Sequence, residues 1–80
     1  MKPSTLIKKY GWIQGEAGSL ARGHCTLIAI LTAYKGNESK QNIAINKMKK
    51  YLKRSCLVTW NDRKCRTKSQ VIAALKAVGE

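Results

Sequence analysis

The sequence predicts a mainly α protein, a compact bundle of three to four helices around an irregular glycine-rich loop, and three observations carry that prediction. Apolar residues recur at helical spacing in four stretches, helix caps and stop residues bracket those stretches, and the β-prone residues gather into one short run only. Eighty residues allow one core, so residues 1–80 form a single small basic domain. A chain of this length buries about 60% of the surface that its unfolded form exposes.

The first helix is short. Ser4 or Thr5 caps it, Leu6, Ile7 and Tyr10 give it an apolar side, and Gly11 ends it. From Gly11 to Gly23 the glycines at 11, 15, 18 and 23 and the polar residues between them read as an irregular surface loop anchored by Trp12 and Ile13. Cys25 to Tyr34 is apolar almost all round, which places a second helix at the centre of the fold with His24 in its first turn. Lys35 suits its negative end, and Gly36 with Asn37 stops it.

The third helix, about Glu38 to Arg54, has two unlike faces. Ala44, Ile45, Met48, Tyr51 and Leu52 fall within an arc of about 120°, and Lys40, Lys47, Lys49, Lys50, Lys53 and Arg54 occupy the rest. Ile43 breaks the pattern. Cys56 to Trp60 is β-prone but five residues long, and reads as an extended connection that admits a minimal two-strand ribbon with Trp12–Gln14. Asn61 and Asp62 turn the chain. Thr67-Lys68-Ser69-Gln70 is a capping box that opens a last helix with Val71, Ala74, Leu75 and Val78 on its buried stripe.

Catalysis finds little material here. His24 is the one histidine in the chain, and as a neighbour of Cys25 in a helix it diverges from that thiol by about 100°, so it is a poor base for it. Cys25, Cys56 and Cys65 are too widely spaced for a zinc module, and the four acids show no paired-carboxylate pattern. Gly11, Gly15 and Gly18 lack the strand before and the Lys-Ser/Thr after that make a nucleotide loop. The reading is a non-enzyme that needs no cofactor and no metal. Three cysteines form an odd set, which points to free thiols. With neither a span of roughly 18 apolar residues nor a secretory signal, the expected location is the cytosol.

Charge supplies the functional signal. Sixteen Lys and Arg stand against four acids, a net charge of +12, and such a field attracts polyanions. Two basic groups stand out: the cationic face of the third helix, and the run Arg63, Lys64, Arg66 and Lys68 at the mouth of the last helix. The expected partner is DNA or RNA, or an acidic or nucleic-acid-binding host complex, held through phosphates with little base reading. Neither a membrane surface nor a small-molecule substrate is expected. Trp12 and Trp60 sit in irregular segments and are the candidate interface anchors.

The opening Gly11-Trp12-Ile13-Gln14-Gly15, Cys25 in its apolar helix, and Trp60-Asn61-Asp62 with Arg66-Thr67 leading into Val71-Ile72-Ala73-Ala74-Leu75 resemble a family of short, uncharacterised bacterial and phage proteins. This chain departs from that family in its lysine-rich central helix. The resemblance implies a helical fold and a phage or mobile-element origin, and transfers no site. It also opens a second function by analogy, an anti-defence inhibitor that blocks a host nuclease complex by protein contact through Trp12, Trp60 or Arg63.

Overall fold

In a computed structural model, residues 1–15, 18–19 and 23–80 are described, Gly18 and Ser19 by their backbone alone. Five helices and a two-residue ladder follow in the order α1 (Pro3–Tyr10), β1 (Gly18–Ser19), β2 (Gly23–His24), α2 (Thr26–Ala33), α3 (Glu38–Leu52), α4 (Leu57–Asn61) and α5 (Lys68–Ala77). The mainly helical prediction holds. Ile7, Ala29, Ile30, Ala44, Met48, Leu57, Trp60, Val71, Ala74 and Leu75 make one core drawn from all five helices. As expected, α2 is central, touching α1, α3, α4 and β2. Among the described residues no helix is long and apolar enough to cross a membrane.

Helix α1 starts two residues earlier than a Ser4 cap would set it, and three earlier than a Thr5 cap. Pro3 occupies its first turn, where a missing N–H costs nothing, and Lys2 is the N-cap without a side-chain bond. Ser4 is instead buried, and its N–H and hydroxyl both donate to the Glu80 carbonyl at 3.0 Å. Gly11 ends the helix at φ 102°. There the backbone of Gly23 presses on it: a Cβ at Gly23 would sit 2.7 Å from the Gly11 carbonyl carbon. That approach lets the His24 N–H donate to Gly11 O at 3.0 Å and the Ile13 N–H to His24 O at 3.3 Å.

The ribbon therefore forms elsewhere than the sequence admitted it. β1 pairs antiparallel with β2, Gly18 opposite His24 and Ser19 opposite Gly23, and Trp12 bridges His24 in parallel. Part of the expected loop, residues 16–17 and 20–22, lies outside the described residues. His24 belongs to β2 rather than to the first turn of α2, because Cys25 is the N-cap, its Sγ accepting from Ile28 N at 3.4 Å.

Between α2 and α3, Gly36 takes the left-handed conformation at φ 80°, while Asn37 caps α3 by accepting from Lys40 N at 3.1 Å. Ala44 and Met48 of α3 are fully buried, Ile45 and Leu52 pack against the core, and Ile43 is exposed. Tyr51 departs from the expected packing arc, with 55% of its surface exposed. It lies in the last turn of a 15-residue helix that packs on partners of 8, 5 and 10 residues, so the arc outruns what there is to bury it.

Cys56 to Trp60 is the larger correction, because an extended connection was expected and α4 stands there. Leu57, Trp60 and Asn61 at i, i+3 and i+4 all turn inward, and that tertiary burial outweighs the β-propensity of Leu-Val-Thr-Trp. Helix α5 opens on the expected capping box: Gln70 N donates to Thr67 Oγ1 at 3.2 Å and Thr67 N to Gln70 Oε1 at 3.0 Å. It closes with Gly79 N on Lys76 O at 3.0 Å and Glu80 N on Leu75 O at 2.8 Å, the paired bonds of a Schellman motif.

Candidate nucleic-acid interface

Ten basic residues were singled out by the sequence, and the fold divides them. Lys40, Lys47, Lys50, Lys53, Arg54, Arg63, Lys64 and Lys68 are exposed, and Lys49 and Arg66 are half-buried. Two are engaged by the fold itself. Lys47 pairs with the buried carboxylate of Glu80. Arg66 lies over the Trp60 ring at 4.0 Å and donates from Nε to Trp60 O at 3.0 Å, a stacked guanidinium that a lysine would not replace. Among the described residues, the other eight have no carboxylate partner.

Arg63 and Lys64 depend on a loop that would otherwise be loose, and Asn61 is what fixes it. Its side chain is fully buried. Asn61 Oδ1 accepts from Trp12 Nε1 at 2.6 Å, Thr26 N at 2.9 Å and Thr26 Oγ1 at 2.6 Å. Its Nδ2 donates to Ile13 O at 3.0 Å and to Asp62 Oδ1 at 2.9 Å. Gln14 Nε2 then donates to the carbonyls of Asn61 and Arg63 at 2.9 and 2.7 Å, and Gly15 N donates to Asp62 Oδ1 at 3.0 Å. The opening segment and the loop after α4 are thus one hydrogen-bonded unit. Sequence reading took Asn61 for a turn residue, and its place beside two other polar and aromatic motif residues was the only local hint of more.

The two basic groups meet at a cavity of about 380 Å³ lined by Arg54, Ser55, Cys56, Thr59, Trp60 and Arg63. Arg54 comes from the turn after α3 and Arg63 from the loop after α4. Cys56 is exposed at the mouth of α4. Hydrogen bonds from the Thr59 hydroxyl and N–H, with smaller help from Val58 N–H and the Lys49 charge, hold its thiol below the ordinary range against a desolvation that acts the other way.

The tryptophans do not stand as exposed anchors. Trp60 retains 7% of its surface and packs in the core, and half-buried Trp12 spends its indole N–H on Asn61. Both were placed in irregular segments by the sequence, and both stabilise the fold. His24 and Cys25 are also buried, at 3% and 4% exposure. Among the described residues, His24 Nδ1 has no hydrogen-bond partner.

Residues 3–80 match the model of DUF6197, a family of unknown function. The chain belongs to this family. No curated protein and no solved structure matches it. Membership in DUF6197 agrees with the resemblance to a family without an assigned activity.

Proposed function

We propose that this DUF6197 protein acts by binding, without catalysis, and that its target is nucleic acid, alone or within a nucleoprotein complex. One observation carries the reading: Arg54 from the first basic group and Arg63 from the second line the same cavity, so cations on either side of α4 share one ligand surface. Among the described residues, eight of the ten have neither a carboxylate partner nor a stacked ring within the fold. Each phosphate neutralised releases a counterion, which supplies affinity without reading bases. Such a protein suits an accessory role for a phage or mobile element inside a host cytosol.

The alternative, an inhibitor that blocks a host nuclease complex by protein contact, loses Trp60 to the core as an anchor and keeps half-buried Trp12 and exposed Arg63. The deciding experiment titrates the protein against short single- and double-stranded DNA and RNA at about 50 mM salt, beside a K50E/R54E/R63E variant. Micromolar or tighter binding that the folded variant loses supports the reading. No binding to any of the four ligands sinks it and directs the search to a protein target.

A further inference from the structure

A phosphodiester within a strand has an ester arm leaving on each side, so a flat run of cations is enough to hold it. The space between Arg54 and Arg63 is instead concave. At about 380 Å³ it falls in the range of small-ligand sites, roughly 300–1,000 Å³. The two guanidiniums approach it from separate elements, each offering a planar fork of donors that matches phosphate oxygens. Ser55 and Thr59 contribute hydroxyls, Cys56 a thiol and Trp60 an apolar wall, and among the described residues no carboxylate lines the cavity.

We infer that this cavity seats a phosphate monoester, presented as the terminal phosphate of a nucleic-acid strand. The inference rests on the nucleic-acid reading above and sharpens it from backbone contact to end recognition. A monoester has three free oxygens, a charge of about −1.5 to −2 at neutral pH, and one ester arm to lead out of the cavity. An internal diester has two free oxygens and one charge, and so offers two guanidinium forks fewer acceptors and less charge. Inorganic phosphate and a nucleoside monophosphate present the same chemistry as the strand end.

The test compares oligonucleotides of one sequence with a phosphate or a hydroxyl at either end, bound to the wild type, to R54Q/R63Q and to a control K40Q/K68Q, each verified as folded by circular dichroism. The wild type should bind a phosphorylated end about tenfold more tightly, the scale of one or two charge-assisted hydrogen bonds. R54Q/R63Q should abolish that ratio, while K40Q/K68Q lowers affinity for both ends and keeps it. In parallel, inorganic phosphate should slow iodoacetamide alkylation of Cys56 but not of Cys65, read by peptide mass. Equal affinity for phosphate and hydroxyl ends, with no protection of Cys56, overturns the seat and leaves backbone binding standing. Protection of Cys56 by phosphate with no oligonucleotide bound keeps the seat for free phosphate esters and removes the nucleic-acid reading.

Discussion

Lys53 is the one described residue other than glycine with a positive φ, at 55°. It closes α3 by donating its N–H to Lys49 O and Lys50 O, a position that a glycine fills without steric cost. A left-handed conformation costs a side-chain-bearing residue about 1 kcal/mol or more. Lys53→Gly should therefore raise stability by about 1 kcal/mol, visible as a melting temperature several degrees higher. An unchanged or lower melting temperature would show that the strain is relieved by a contact of the lysine. Tyr34 offers a second test. Its hydroxyl donates to the Glu80 carboxylate, and that bond, then burial, then the carboxylate charge, push its pKa from 10.0 up to about 12. Because the folded value lies above the unfolded one, this contribution to stability is whole below pH 10 and is lost as pH climbs towards 12. Tyr34→Phe should flatten that part of the alkaline decline in a denaturation series; an identical decline would remove the assignment.

The helices differ in how far their own sequences specify them. Helix α5 announces itself through Thr67 and Gln70, whose reciprocal bonds are local and need no tertiary partner. The cap at Asn37 and the stop at Gly36 act equally locally, and α3 was legible to within two residues of its end. Helix α4 was hidden, because Leu57, Trp60 and Asn61 turn inward only when a core and the Trp12–Thr26 region are already there to receive them. Asn61 is the joint in that arrangement. Asn61→Asp keeps an acceptor for Trp12 and Thr26 but sets a second oxygen against Ile13 O and Asp62 Oδ1. It should cost about 3 kcal/mol or more, as a buried charge whose second oxygen faces two acceptors. Chemical denaturation reads the loss, and an accompanying shift of the Arg63 backbone resonance in an NMR spectrum marks the loop coming free. A variant as stable as the wild type would refute the joint.

Over the whole molecule, the net charge of +12 was plain from composition, but its division was not. That Glu80 takes Lys47 and that Trp60 takes Arg66 depends on contacts across 33 and 6 positions of chain, given by the ion pair and by the stacked ring. Periodicity likewise placed Lys40 to Arg54 on one helix side and Arg63 to Lys68 in a loop, yet had no means of bringing Arg54 and Arg63 to one cavity. The folded chain is small, with principal extents of 27 × 26 × 19 Å, so the eight cations without a carboxylate partner among the described residues lie within a few Debye lengths of one another at physiological salt, where that length is about 8 Å.

Cations that hold phosphates release counterions on binding, and the slope of log affinity against log salt concentration reads how many. With four to six phosphates neutralised on duplex DNA, the slope should lie near −4 to −5 between roughly 50 and 200 mM salt, and K50E/R54E/R63E should make it shallower by about two to three units. An affinity that stays level across that range would contradict phosphate binding as the source of the interaction.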